Sequence, residues 1–296
     1  MIEYGYHLVA FIDILGQKES FKENGQYLDE IETYFDNPEE LKKKFAKAHA
    51  ETVVSIERLR KQFKDFFNAY TQKHSEPTLI PPDKINQFKK MREAEVDLQV
   101  FSDCILAISS LKKDEYFSHA INSVFGVLMA CGGMLLASLS VGKPFRAGIE
   151  IGLGTKFEGV YGPVLFRAYE LESSVAQYPR IVIGDGLLNF LYNLSDRHPQ
   201  FEGQIKEDIE WCKLMADTCL KMIVKDVDGI YIFDYLGEEA TKGVREQEGK
   251  DFMKRCYDDA KRFVEKEYKK HVDSKDEKLS KRYAMLNQYF NARKIE

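Results

Sequence analysis

The chain is poor in the features that would mark several common classes of protein. Its five cysteines, Cys104, Cys131, Cys212, Cys219 and Cys256, are odd in number, scattered and without a CxxC spacing. Neither a disulfide framework nor a zinc knuckle is indicated, and a reducing cytoplasm is the expected setting. There is no surplus of positive charge: 43 Lys and Arg stand against 48 Asp and Glu, a net charge of −5. That removes the usual footprint of a protein that grips duplex nucleic acid by its phosphates, so no duplex partner is expected. No GxxxxGK[ST], HExxH or GxSxG motif is present, and Gly152-Leu153-Gly154 falls short of GxGxxG. The six histidines are dispersed, none beside a Cys or Ser in a way that suggests nucleophilic catalysis. MIEYGYHLVAFIDILG has no basic n-region and no small-residue cleavage site, so it does not read as a signal peptide. Internal repeats and low-complexity tracts are also missing.

What is present describes a folded chain. With 296 residues, 44 % apolar and 31 % charged, one large domain or two small ones can form. The uncharged stretch Ala120 to Val141 has the length of a bilayer span. Asn122, Gly132, Gly133, several serines and the lack of flanking aromatic belts predict a helix buried on most faces instead, with no membrane partner.

Tyr6 to Leu15 (YHLVAFIDIL) predicts a central strand ending at Gly16. From Lys18 to about Phe67 the composition turns to Lys, Glu, Asp and aromatics at helical spacing, with Asn37-Pro38 as a helix start before Glu39 and Glu40. This block is expected to lie on the surface. Ser75 to Pro82 predicts a proline-punctuated loop and Asp83 to Glu93 a short charged helix. Val96 to Ser109 (VDLQVFSDCILAIS) alternates on both sides of Ser102-Asp103, as a β-hairpin with a two-residue tip does. The long apolar helix follows, then a strand over Phe145 to Leu153, a helix from Gly162 to Ala176 opened by Pro163, a strand over Arg180 to Gly184, a helix from Gly186 to Leu194 and a last strand over Gly229 to Leu236. Beyond about Glu238 dense charge returns with aromatic residues at helical spacing.

Two aspartates stand where predicted strands end, Asp13 in FIDILG and Asp103 in FSDCIL. If the strands are neighbours, both carboxylates project from one sheet edge. Two carboxylates and a backbone carbonyl suit a Mg²⁺ or Mn²⁺ pair whose other ligands are phosphate oxygens and water. A turn cap and a hairpin-turn residue are equally ordinary roles for them.

Five segments resemble, in order, the class III nucleotidyl cyclase catalytic domain. FIDILG is similar to the family's F-x-D-I-x-G strand, LQVFSDCILAIS to its hairpin with Ser102-Asp103 in place of Gly-Asp, FRAGIEIG to its R-x-G-I-x-x-G strand, GPVLFRAYELES to its G-x-x-V-N-x-A-x-R-L-E-S helix, and YPRIVIGDGLLNFL to the following strand and helix. The resemblance implies an α+β fold: a ferredoxin-like palm of mixed or antiparallel sheet with helices, over residues 1–237 with a helical insertion at about 18–94. A charged helical extension follows at 238–296. It implies two Mn²⁺ or Mg²⁺ ions held by Asp13, the Ile14 carbonyl and Asp103. The chain also departs from the family. Phe166 stands where a ribose-orienting Asn is usual and Glu170 where a phosphate-binding Arg is usual. Arg167, about 100° round the helix from Phe166, is the candidate catalytic cation; Arg146 and Lys143 begin the neighbouring strand. Each is otherwise a solvated or salt-bridged cation. Gln99 occupies the base-reading position, and its amide donates and accepts at once, which suits a pyrimidine edge; an exposed edge-strand glutamine is the plain reading. Gln99 and Phe166 are the candidate substrate-binding residues.

These features are most similar to the divergent pyrimidine cyclases of bacterial Pycsar anti-phage systems. The implied activity is conversion of UTP, with CTP second, to the 3′,5′-cyclic monophosphate and pyrophosphate. The implied assembly is a cytoplasmic homodimer signalling to a cyclic-nucleotide-sensing effector. A catalytically degenerate nucleotide-binding or dimerising regulator is the alternative, and a polymerase-type palm making longer products is a third.

Overall fold

The computed structural model describes residues 2–16, 37–71, 82–112, 116–157, 159–196, 205–242 and 249–293. The start of the predicted helical block, 18–36, and the predicted loop at 75–81 lie outside the described residues.

The first strand, β1 (Glu3–Ile14), runs through the middle of an eight-stranded mixed sheet. Its alternation separates Leu8, Ala10, Ile12 and Ile14 on one face from His7, Val9, Phe11 and Asp13 on the other. Helix α1 (Pro38–Thr71) and the short α2 (Ile85–Met91) lead to the hairpin of β2 (Asp97–Phe101) and β3 (Cys104–Ser110). Helix α3 (Ser118–Ser140) then leads to β4 (Phe145–Phe157). This β-α-β-β-α-β succession lies in the spatial order β2-β3-β1-β4, antiparallel throughout. The short β5 (Gly159–Tyr161) folds back on β4, and helix α4 (Pro163–Glu170) crosses to β6 (Ile181–Ile183), which is parallel to β4. Helices α5 (Asp185–Asp196) and α6 (Lys206–Lys221) precede a hairpin of β7 (Ile223–Lys225) and β8 (Tyr231–Phe233) that extends the sheet beyond β6.

One face of the sheet carries the main core. Leu8, Ile12, Ile14, Ile105, Phe145, Ile149 and Ile181 pack there with α1 and α3. Helix α3 is long and apolar enough to cross a membrane, but 83 % of its most apolar window is buried within the protein, so packing accounts for its composition. The expectation that the 18–67 block lies on the surface is corrected over its described part. Ile56, Leu59, Phe63, Phe67 and Tyr70 recur at three- and four-residue intervals and are buried in the main core, while the cations between them face water. The helix start at Asn37-Pro38 is as expected, with the Glu40 N–H donating to Asn37 Oδ1 at 3.3 Å.

Three elements were not foreseen: β5, α6 and β7. Three-residue strands are too short to show a period, and α6 buries only a narrow set, Asp208, Cys212, Ala216 and Cys219. The last strand is also shorter than expected, because Asp234 and Tyr235 already turn away. The C-terminal segment forms α7 (Lys250–Asp273) and α8 (Glu277–Asn291). Met253, Tyr257, Val264, Leu286, Tyr289 and Phe290 belong to the same main core. Tyr289 Oη donates to Asp234 at 2.8 Å and accepts from the Leu236 N–H at 3.1 Å, while Arg293 pairs with Asp234.

The opposite face holds a small second core of Val9, Ile108, Val160, Val164 and Ala168 beneath β5 and α4. Helix α4 comes this close because Gly148 of β4 lacks a side chain. A Cβ there would stand 2.3 Å from the Ala168 carbonyl oxygen and 2.7 Å from the Glu172 nitrogen, both backbone atoms. Gly148→Ala is therefore expected to cost about 1–3 kcal/mol, read as a lower urea midpoint. Gly152→Ala, whose Cβ would meet nothing nearer than Val164 Cβ at 3.4 Å, should lose far less.

Candidate functional site

At one end of the second face, the last polar residue of β1 meets the hairpin tip. Asp13 is paired with Cys104 of β3 on one side and with Arg146 of β4 on the other. Directly opposite residues in antiparallel strands point to the same face, so Phe101, Cys104, Asp13 and Arg146 form one row across four strands. The tip is tight: Phe101 faces Cys104, and Ser102 takes φ +56°, the positive angle that two-residue hairpin turns require. The Ile14 N–H donates to the Asp103 carbonyl at 3.3 Å, tying the strand end to the tip. Ligand atoms of Asp13, Asp103 and Cys104 consequently lie within 4.8 Å of one another.

Cys104 Sγ donates to Asp13 Oδ1 at 3.5 Å, and an Arg146 Nη2 donates to Asp13 Oδ2 at 3.3 Å. The same Arg146 nitrogen lies 2.6 Å from Oε1 of Glu172, a carboxylate with only 2 % of its side chain exposed, and Nη1 donates to the Ala176 carbonyl at 3.2 Å. Burial raises the proton affinity of Asp13, and the Asp103 charge raises it further, against the opposing pull of Arg146 and Cys104. Burial likewise pushes Glu172 up to about 7, opposed by Arg146 and reinforced by Asp13. The Cys104 thiol is pushed up by burial and then by both aspartates, so it stays protonated at neutral pH. Among the described residues, Arg146 is the one cation ion-paired with these carboxylates. The site's hard oxygen donors fit Mg²⁺ or Mn²⁺, and Cys104 adds one soft atom at the edge of the set.

The sequence-based candidates fall into two groups. Asp13, Asp103 and the Ile14 backbone come together. Gln99 stands on the edge strand β2 and Phe166 on α4. Gln99 lies on the same face as Asp13, in the row Gln99, Leu106, Phe11, Gly148. Two strands across and two residues along place it roughly 12 Å from Asp13. Its amide nitrogen lies 3.4 Å from Asp97 Oδ2. Phe166, Arg167 and Glu170 are exposed on α4, and among the described residues none of the three has a hydrogen bond or ion pair to either aspartate. Phe101 and Tyr169 are exposed nearby, with Tyr169 edge-on to Phe11 at 5.3 Å. Lys143 is exposed in the turn before β4.

Sequence reasoning did not single out Glu172 or Cys104 as site residues. Cys104 follows Asp103 directly, and strand alternation could have placed it facing Asp13. Glu172 had only its place in the helix motif as a signal. Arg146 is salt-bridged, but inside the site. A groove of about 1470 Å³ lies elsewhere, between α1 and the segment 93–98, and neither aspartate lines it.

Two outcomes follow for the metal-free protein. Asp103→Asn removes a like charge from Asp13 and should stabilise the fold by about 1 kcal/mol in EDTA at pH 7.5. Because Asp13 holds its proton to higher pH in the folded state, that gain should shrink as pH falls and Asp13 becomes neutral, read by urea unfolding across pH. Glu172 takes up a proton in the folded state that the unfolded chain releases near pH 4.5. Its contribution is therefore present below about 4.5 and lost as pH rises to about 7, a decline of up to about 3 kcal/mol that Glu172→Gln should flatten.

No protein-family model matches this chain, and no curated protein matches it either, so the chemistry of the site stands on its own side chains.

Proposed function

We propose that this protein is a divalent-metal-dependent pyrimidine nucleotide cyclase of the class III type. It would turn UTP, or CTP, into the 3′,5′-cyclic monophosphate and pyrophosphate, acting as a cytoplasmic homodimer that makes a second messenger in bacterial anti-phage defence. The observation that carries this reading is the convergence of Asp13 and Asp103 within 4.8 Å at the end of the central strand and the tip of its neighbouring hairpin. The β-α-β-β-α-β succession in the order β2-β3-β1-β4 supports it, being the ferredoxin-like arrangement of a palm.

Asp13 and Asp103 would hold the metal ions, with the Ile14 carbonyl completing the protein's donor set. When bound, the metals supply a lowered pKa for the ribose 3′-hydroxyl and offset charge on the α-phosphate and the leaving pyrophosphate. The protein's part is to bind and orient. The Gln99 amide would meet the base edge, roughly one nucleotide's length from Asp13 across the same face. The exposed rings of Phe101, in the row of Asp13, and Tyr169, against Phe11, border that path; these and the exposed Phe166 on α4 offer surfaces for a base or for the second subunit. Arg167, exposed on α4, would meet the departing phosphates.

The exposed Phe166 and Glu170, standing where the resembled family has its Asn and Arg, favour a second reading: a cyclase-like domain that binds nucleotide or dimerises without turnover. Incubation with each of the four nucleoside triphosphates and Mn²⁺, followed by chromatography and mass spectrometry, separates the two. The expected product is cyclic UMP or cyclic CMP, reduced at least a hundredfold by Asp13→Ala and by Asp103→Ala. No cyclic product from any triphosphate would overturn the enzymatic reading, and products longer than one nucleotide would point to a polymerase.

A further inference from the structure

Arg146 could neutralise Asp13 by itself. A guanidinium presents two parallel N–H groups that match the two oxygens of a carboxylate, and a forked pair of that kind would leave Asp13 little affinity for a metal ion. The structure shows no such fork. Nη1 donates to the Ala176 carbonyl at 3.2 Å and Nη2 is ion-paired with Glu172 at 2.6 Å, while Nε has no hydrogen-bond partner among the described residues; Asp13 receives one longer contact, 3.3 Å, on Oδ2 alone. Its Oδ1 meets the weak thiol donor of Cys104 at 3.5 Å, and the Asp13 carboxyl group also interacts directly with that of Glu172, so the test must separate this direct effect from one exerted through Arg146.

Glu172 is an unusual residue to keep for stability. It is 2 % exposed, and burying an ion pair of this kind often contributes less than apolar residues of the same size would. It sits on the single π-helical turn Leu171–Val175 that ends α4, a kind of distortion found mostly at functional sites. The missing side chain of Gly148 brings that turn against β4. Among the described residues, Arg146 is the ion-pair partner of both Glu172 and Asp13.

We infer that Glu172 is a positioning residue for the metal site: it anchors Arg146 to the wall so that the guanidinium shares Asp13 without enclosing it, leaving Asp13 and Asp103 open to a divalent cation. The inference rests on the proposed metal-binding role of the two aspartates. It gives Glu172 an effect on metal affinity that passes through Arg146, whereas a simple negative charge near the metal would act with or without that arginine.

A double-mutant cycle on the full chain separates these, with Mn²⁺ alone as the probe, its affinity read by electron paramagnetic resonance at pH 7.5 and folding checked by thermal unfolding in EDTA. Asp13→Asn and Asp103→Asn come first. If they leave Mn²⁺ binding unchanged, the metal-site reading fails and takes this inference with it. If they abolish it, the cycle decides. Glu172→Gln is expected to weaken Mn²⁺ binding at least tenfold when Arg146 is present. In a neutral background, Arg146→Gln or Arg146→Met, the same change should alter affinity less than threefold. An equal loss in both backgrounds overturns the inference, as does no loss when Arg146 is present. Should Glu172→Gln not fold beside Arg146, the neutral background still decides: a tenfold loss there overturns the inference, and an unchanged affinity supports it.

Discussion

The register of β1 between β3 and β4 is the constraint on which the other features depend. Leu8, Ile12 and Ile14 are fully buried on one face, each contributing about 1.5–3 kcal/mol relative to exposure. Asp13 projects from the other face. A slip of one residue would exchange the faces, exposing those aliphatic side chains and driving the carboxylate into the main core. The hydrophobic effect on one side of the strand thereby fixes, to within one residue, which groups Asp13 meets on the other: Cys104 and Arg146. A site at the end of a strand held by twelve paired positions is far more rigid than one placed on a loop.

The same register concentrates charge that the fold would be better without. Asp103 and Glu172 both bring negative charge to Asp13, Arg146 pairs with Asp13 and Glu172, and burial raises the proton affinity of those two. Elsewhere the chain treats buried charge differently. Arg180, 1 % exposed, is closed on by Asp226, Asp228 and the Val175 carbonyl, each at 2.8 Å. Glu150 is turned into a helix cap, accepting from the Ile151 and Leu187 N–H groups at 2.8 and 3.1 Å. Those two find charged or backbone partners within the protein, although the Arg180 Nε is left without one. Among the described residues, the carboxylates around Asp13 have only Arg146 as an ion-pair partner, the pattern expected where stability has been traded for binding.

The parts of this arrangement that are local in sequence could be read before the structure. β1 and the β2-β3 hairpin announce themselves by alternation, so Asp13 and Asp103 could be placed at strand ends and suspected of meeting. The buried face of α1 was obscured because its core positions, Ile56, Leu59, Phe63 and Phe67, are diluted by charged neighbours that cover the rest of the helix. Glu172 was hidden for another reason: it lies 159 residues beyond Asp13 and reaches it only through the close approach of α4 to Gly148, a distance that no sequence period encodes. The positions of Arg167 and Phe166 on α4 were legible; that their side chains are exposed depends on how the helix is rotated over the sheet.

The way α7 and α8 close the main core also bears on how the chain comes to be folded. Helix α7 packs on α3 and α8 packs on α7, with Tyr289 and Phe290 against Tyr235 and with Tyr289 and Arg293 holding Asp234. During synthesis, the face of α3 that α7 covers stays open until α7 has left the ribosome. Joining segments so distant in sequence is slow compared with forming local contacts. The nascent chain therefore waits with its most apolar helix, Ser118–Ser140, incompletely covered, and it is during that interval, more than in the finished fold, that the protein is exposed to aggregation and to capture by chaperones.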